Sequence, residues 1–206
     1  FQFSGLPRLC IGMEHLAQGN RSLAQLFLAS AAEEMGDDPL CANERGVAAF
    51  HAGRLSDAVE LFQTAAAAAA DTQQPTAAWI SVHLNLGLAL RREGRDAEAR
   101  SCFLRVIDYD AACATAYIAL GMCAHREGHL ADAIGWYHEG LGIDPRDPVG
   151  TELLAMALDA RVAQGVPRAV LGHVGECLET SDIEQSAAAA EAEAALDRSH
   201  AVSYTH

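Results

Sequence analysis

The chain repeats one spacing of small and bulky apolar residues, and this spacing predicts pairs of packed helices. In each copy a glycine lies within a run of mostly apolar residues, and a second glycine follows seven residues later. An alanine stands twelve residues after the first glycine, and a bulky apolar residue stands sixteen after it. The four sets are Gly12, Gly19, Ala24 and Leu28; Gly46, Gly53, Ala58 and Phe62; Gly87, Gly94, Ala99 and Phe103; and Gly121, Gly128, Ala133 and Tyr137. We expect the second glycine to end the first helix of each pair, and the small residues to let the two helices approach to about 8–10 Å.

The repeat has a nearly constant length. Gly12 and Gly46 are 34 residues apart, and so are Gly87 and Gly121, whereas 41 residues separate Gly46 from Gly87. We assign the seven additional residues to a loop near residues 71–76, where Gln-Gln-Pro interrupts the pattern. A 34-residue helix-turn-helix unit with these small and bulky positions resembles the tetratricopeptide repeat.

This resemblance implies an all-α fold, a tetratricopeptide repeat solenoid that forms a right-handed superhelix with a C-terminal capping helix. We predict that residues 1–165 form the array, with four clear units starting near residues 5, 39, 80 and 114 and a diverged fifth unit near residue 148. The fifth unit diverges because Val162 stands where a glycine is expected. Residues 166–181 are predicted as the capping segment, and the Ala/Glu-rich residues 182–206 as a tail that is frayed or disordered.

Composition narrows the function classes. Half of the residues are hydrophobic but only 6% are aromatic, which suits close-packed helices better than a β-sandwich or barrel. The net charge of −14 argues against nucleic acid as the main partner, because phosphate binding needs a basic face. No apolar run approaches the roughly 18 residues of a membrane helix, and no signal peptide is recognisable. The chain begins at Phe1, and we interpret it as part of a longer protein.

The residues capable of chemistry do not form a recognisable site. The six cysteines have no paired spacing, so we expect reduced thiols in the nucleus and cytoplasm. His125 and His129 are four residues apart, but Gly128 separates them at a predicted helix end, and His173 stands four residues before Cys177. A zinc site needs about four ligands in recognisable pairs. We therefore predict no metal, no cofactor and no catalytic residue.

The first helices of successive units are expected to line a concave face that binds a partner. Counting from the first glycine of each unit, the inward positions are mostly apolar, and two of them are methionine, whose side chain adapts to a partner's shape. The predicted groove residues are Leu9, Met13, Leu16, Asn43, Val47, Phe50, Leu84, Leu88, Arg91, Arg92, Ile118, Met122, His125 and Arg126. Such a face could bury an apolar or helical segment of another protein. Alternatively, some of these residues form ordinary core between repeats, or are covered by other parts of the parent protein.

Four cationic residues are exceptions on this mostly apolar face. Arg91 and Arg92 end one predicted first helix, and His125 and Arg126 end the next. They could complement the negative ends of their helices, or they could bind acidic residues of a partner. The sequence leaves both interpretations open.

Three segments carry a more specific resemblance. Residues 6–15, Leu-Pro-Arg-Leu-Cys-Ile-Gly-Met-Glu-His, resemble the L-P-x-L-Y-I-G-M-E-Y segment of anaphase-promoting complex subunit six, the cell division cycle 16 family. Residues 38–50 resemble that family's D-P-x…E-x-G-V-V-A-F/Y segment, and residues 133–138 resemble its A-I-x-Y-Y-H. The resemblance covers about residues 5–160, and Cys10 and His15 depart from it by replacing tyrosines.

This resemblance implies a non-catalytic scaffold subunit of a multisubunit ubiquitin ligase of the cell cycle. Its C-terminal repeats would enclose a small accessory subunit of the cell division cycle protein 26 type and contact other subunits of the complex. The family's homodimer contact would lie outside this chain. The alternatives are an adaptor or scaffold of another assembly, including the sister repeat subunits of the same complex, and the recruiting repeat region of a larger enzyme. We expect neither nucleic acid nor a membrane as a partner.

Overall fold

The computed structural model describes residues 5–36, 38–70 and 77–165, and every regular element in these ranges is an α-helix. The helices are α1 (Leu6–Ala17), α2 (Arg21–Met35), α3 (Pro39–His51), α4 (Leu55–Ala70), α5 (Ala77–Arg92), α6 (Asp96–Tyr109), α7 (Ala114–Arg126), α8 (Leu130–Ile143) and α9 (Pro148–Gly165). The predicted all-α tetratricopeptide fold is confirmed. The expected loop at residues 71–76, capping segment at 166–181 and tail at 182–206 lie outside the described residues.

The helices divide between two compact units. In the first, which extends to Asp110, α1 packs on α2, α3 on α4 and α5 on α6, while α2 contacts α3 and α4 contacts α5. In the second, which starts at Ala111, α7 packs on α8 and α9 packs against both. Four of the odd-numbered helices begin at residues 6, 39, 114 and 148, next to the predicted unit starts, whereas α5 begins at Ala77, three residues before residue 80.

The first glycine of each pair stands where the partner helix places its bulky side chain. A Cβ atom added to Gly46 would lie 2.5 Å from Cε1 of Phe62, and one added to Gly87 would lie 2.5 Å from Cε1 of Phe103. At Gly12 the obstructing atom is Cδ2 of Leu28, at 2.7 Å. These distances are below ordinary van der Waals contact, so any side chain at these positions would push the helices apart. The same pairing occurs in the second unit between Gly121 and Tyr137.

The second glycine of each pair ends the first helix in the left-handed conformation. Gly53 has φ 78°, a value that costs a Cβ-bearing residue energy and glycine none. Its N–H donates to the carbonyl oxygen of Phe50 at 3.0 Å, and the N–H of Arg54 donates to that of Ala49 at 3.0 Å. These bonds satisfy carbonyls that the helix end would otherwise leave open.

An Asp-Pro pair begins a repeat in each unit. Oδ1 of Asp38 accepts hydrogen bonds from the backbone N–H groups of Leu40 and Cys41, both at 3.0 Å, and Pro39 occupies the first turn of α3. Oδ1 of Asp147 accepts in the same way from the N–H of Val149 at 3.0 Å, one residue after α9 begins. An aspartate cap followed by proline fixes a helix start, since proline lacks the N–H that the first turn cannot use.

The close contact at Gly121 predicts that a larger residue at this position destabilises the fold. Replacing Gly121 by leucine should lower the free energy of unfolding by about 1–3 kcal/mol, because the new side chain and the ring of Tyr137 would need the same space. Gly135→Leu is the matched control, because a Cβ at Gly135 on α8 meets no atom within 4 Å. The control should be neutral or more stable by roughly 0.5–1 kcal/mol. Denaturant unfolding checks both values, and equal stability of the two variants would contradict the close packing of Gly121 against Tyr137.

Candidate partner-binding face

Ten of the fourteen predicted groove residues are buried in the structure. Two are exposed, Arg92 and Arg126, and two are half-buried, Leu16 and His125. The buried ones are Leu9, Met13, Asn43, Val47, Phe50, Leu84, Leu88 and Arg91 in the first unit, and Ile118 and Met122 in the second.

Some of these buried residues have a clear packing role. Leu9 and Met13 belong to one apolar cluster with Leu28 of α2 and Cys41 of α3. Ile118 lies so close to α8 that a Cβ added at Gly140 would be 2.7 Å from its Cδ1 atom. These contacts give three of the predicted residues a role in the core between helices. That any of the fourteen also contacts a partner stays a prediction.

A chain of polar side chains crosses the buried face from α5 to α3. Nδ2 of Asn85 donates to Oδ1 of Asn43 at 3.2 Å, and Nδ2 of Asn43 donates to Oε1 of Glu44 at 3.1 Å. Relative exposure is 1% for Asn85 and 0% for both Asn43 and Glu44. Burying amides and a carboxylate is costly unless they are hydrogen-bonded, so the bond between Asn85 and Asn43 holds the two first helices in one register. We call Asn43, Glu44 and Asn85 the inner polar chain.

Sequence reasoning placed only Asn43 of the inner polar chain in the groove. Glu44 was missed because a glutamate in a helix is usually solvated. The available signal was its neighbourhood, since it lies within the mostly apolar run of α3 that ends at Phe50. Asn85 occupies the corresponding place in α5, one turn before Leu88.

The cationic groove residues lie in the last turns of their helices. Arg91 and Arg92 end α5 in the first unit, and His125 and Arg126 end α7 in the second. Cζ of Arg92 lies 4.8 Å from the ring centroid of Phe50, a cation–π contact worth about 0.5–1 kcal/mol at an exposed site. The placement fits cations that complement helix C-termini, and the exposed guanidinium groups also remain suited to acidic residues of a partner.

Two histidines of the first unit have pKa values that favour the neutral form. His83 is 3% exposed and lies between the rings of Trp79 and Tyr109, with centroid distances of 6.1 and 6.2 Å. Burial, together with the nearby charge of Arg105, lowers the pKa of His83 below 6.5. Burial, and then the charges of Arg21 and Arg92, likewise lower the pKa of His51. A buried imidazole between aromatic rings has little solvent with which to stabilise a proton.

Burial disfavours the thiolate form of two described cysteines, Cys41 and Cys102. The five cysteines of the described ranges form no disulfide with one another, and Cys177 lies outside these ranges. Burial raises the pKa of the Cys102 thiol to about 11, and burial also raises that of Cys41. Thiols with raised pKa values carry little thiolate at neutral pH and are weak nucleophiles.

The described residues contain neither a cluster of metal ligands nor a membrane-spanning helix. No group of three or more histidine, cysteine, aspartate or glutamate side chains is placed to hold a metal ion in these ranges. Among the described helices, none combines the length and apolar character needed to cross a membrane. His173 and Cys177 are outside the described residues.

Comparison with known proteins gives three consistent matches. The tetratricopeptide repeat model matches residues 11–75 and 84–148. Anaphase-promoting complex subunit cut9 of Schizosaccharomyces pombe is 33% identical over 164 residues, which cover 77% of this chain and 24% of cut9. Anaphase-promoting complex subunit 6 of Arabidopsis thaliana is 33% identical over 161 residues, covering 78% of this chain and 29% of the relative.

A solved structure supports the same relationship. The crystal structure of the anaphase-promoting complex hetero-tetramer Cut9-Hcn1 contains a chain that superposes with a TM-score of 0.72 at 30% identity. That match covers 75% of this chain and 30% of the solved chain. The chain therefore spans about a quarter of the length of the curated relatives it matches. The resemblance drawn from the sequence is confirmed.

The inner polar chain predicts energetic coupling between two helices. Asn43→Ala and Asn85→Ala should each lower the free energy of unfolding by about 1–3 kcal/mol, because each leaves a buried polar partner without its hydrogen bond. Made together, the two changes should cost less than their sum, with a coupling energy of roughly 0.5–3 kcal/mol. A control cycle pairing Asn43→Ala with the exposed Gln63→Ala should be additive. Additivity in the Asn43/Asn85 cycle would show that the bond contributes nothing.

The lowered pKa of His83 predicts that the protein loses part of its folding stability in acid. Its folded-state pKa lies below the ordinary 6.5, so below pH 6.5 the unfolded chain binds more protons at this residue and stability decreases. Above 6.5 the imidazole is neutral in both states and its contribution is fully present. His83→Phe keeps the aromatic stack without the titration, so its unfolding free energy should fall less between about pH 7 and pH 5 than that of the parent chain. Superimposable profiles for the parent and His83→Phe would exclude this role.

Proposed function

Because the chain belongs to the tetratricopeptide repeat family and is related to anaphase-promoting complex subunit 6, the cell division cycle 16 family, we propose that it is part of a non-catalytic scaffold subunit of that ubiquitin ligase. The observation that carries the proposal is the match to relatives from yeast and plant over more than three quarters of the chain. A match of this extent includes the repeats of both units and is more specific than the repeat fold alone.

The finer proposal is that the first helices enclose a small accessory subunit of the cell division cycle protein 26 type. The solved relative Cut9 forms a hetero-tetramer with Hcn1, which supports a partner of this kind. The first helices α3 and α5 also carry long buried runs, as expected for a face organised around hydrogen bonds and close packing. An inner face of this composition suits a segment held permanently better than a charged tail captured and released.

If this chain is part of a scaffold subunit, other subunits of the complex transfer ubiquitin. What supports this assignment is the role of the side chains: the glycine and aromatic pairs, the inner polar chain and the buried Cys41 all contribute to contacts between helices. We propose the nucleus and cytoplasm as the place of action, because both compartments keep thiols reduced and the five cysteines of the described residues form no disulfide with one another. Mitotic and other cell-cycle ubiquitination would then depend on this subunit through assembly.

Affinity purification tests the proposal. We expect a tagged parent protein containing this chain, isolated from its own cells, to retain other anaphase-promoting complex subunits together with one small accessory protein in stoichiometric amount. Mass spectrometry of the retained proteins is the measurement. The Gly121→Leu protein should retain less of the small protein, and the Gly135→Leu protein should retain as much as the parent. Recovery of a single unrelated client, or of a catalytic domain on the same polypeptide, would contradict the scaffold assignment.

A further inference from the structure

A separate cleft opens in the first unit where α2, α3 and α4 meet. Its volume is about 280 Å³, and none of its lining residues belongs to the predicted groove. Leu28 and Ala48, both buried, line it together with the half-buried Leu61. The polar groups that line it are the side chains of Gln25, Arg45 and Arg54.

Arg45 occupies a position that carries an aliphatic residue in the other three repeats. It directly precedes the first glycine of its unit, and the corresponding residues of the other units are Ile11, Leu86 and Leu120. Three of the four units therefore use an aliphatic side chain where this unit uses a guanidinium. Packing alone would favour the aliphatic residue, because a half-buried arginine gives up part of its hydration.

The guanidinium of Arg45 forms neither a hydrogen bond nor an ion pair with any residue of the described ranges. The second guanidinium, that of Arg54, donates from Nη1 to Oδ2 of Asp57 at 2.9 Å. Both side chains of that pair are more than half exposed, so the pair is weak and its partner is exchangeable. The side chain of Gln25 adds two further N–H donors. The cleft thus has an apolar lining together with several N–H groups that can donate hydrogen bonds to an oxyanion.

We propose that this cleft binds the carboxylate of a glutamate in an acidic segment of a partner protein. The forked donors of arginine match a carboxylate, and the methylene groups of a glutamate match Leu28 and Leu61. Two arginines at one cleft are also a local concentration of positive charge in a chain of net charge −14. The site lies on α2–α4, apart from the predicted groove residues, and does not depend on the scaffold function proposed above.

Nuclear magnetic resonance of the full chain tests the site directly. The probes are an octapeptide with two central glutamates flanked by leucines, and its counterpart with glutamines in their place. The glutamate peptide should shift the side-chain N–H signals of Arg45 and Gln25 saturably, and the glutamine peptide should bind roughly 10-fold more weakly. The Arg45→Leu variant has an aliphatic residue at this position, as the other repeats do. It should fold normally and bind the glutamate and glutamine peptides equally. The control Arg161→Leu removes one positive charge from α9 and should leave the preference for the glutamate peptide unchanged.

Three results would overturn the proposal. The first is equal binding of the two peptides, and the second is a glutamate preference that survives Arg45→Leu. The third is displacement of the peptide by inorganic phosphate at equal concentration, because the cleft would then accept any small oxyanion. Arg45→Lys separates charge from geometry: it should weaken the preference without abolishing it, since lysine lacks the forked donors. Full retention of the preference in Arg45→Lys would show that simple charge attraction suffices and would also count against the site.

Discussion

The fold depends on the contact between a glycine of one helix and a bulky ring or leucine of its partner. At Gly46 and Gly87 the rings of Phe62 and Phe103 occupy the volume that a Cβ would need, and Gly121 and Tyr137 repeat the arrangement. This contact sets how closely the two helices of a pair approach. That distance in turn decides which face of each first helix is left to meet the next pair, because a repeat cannot bury its apolar stripe alone.

Once the pairs are held at this distance, the first helices α3 and α5 come close enough for Asn85 to reach Asn43, and Asn43 to reach Glu44. Apolar packing by itself would tolerate some sliding between these helices. Hydrogen bonds between buried side chains do not, because a shift leaves a buried amide or carboxylate unsatisfied. The inner polar chain therefore adds register to a face whose stability comes from packing. A fixed inner face is what a scaffold needs if it is to hold a partner in one orientation.

The two proposed binding regions differ in the interactions that they offer a partner. The inner face combines burial with hydrogen bonds, which favours a partner that remains bound. The cleft on α2–α4 offers guanidinium groups near solvent, where electrostatic attraction is screened by salt and exchange is fast. One chain could thus hold a permanent subunit and meet a second, acidic protein at another place.

The sequence by itself determined the repeat. The 34-residue spacing, the left-handed glycine at each turn and the small-to-bulky pairing were readable because they follow from local backbone geometry and residue volume. It also indicated the family through short matching segments. Only the tertiary structure decided which inward residues are exposed. Arg92 stays at the surface over Phe50, whereas the adjacent Arg91 is buried. The buried Glu44 accepts a hydrogen bond from Asn43, which in turn accepts one from Asn85, 42 residues further along the chain from Asn43. Such outcomes depend on contacts between helices, and helical periodicity specifies a face without specifying what covers it.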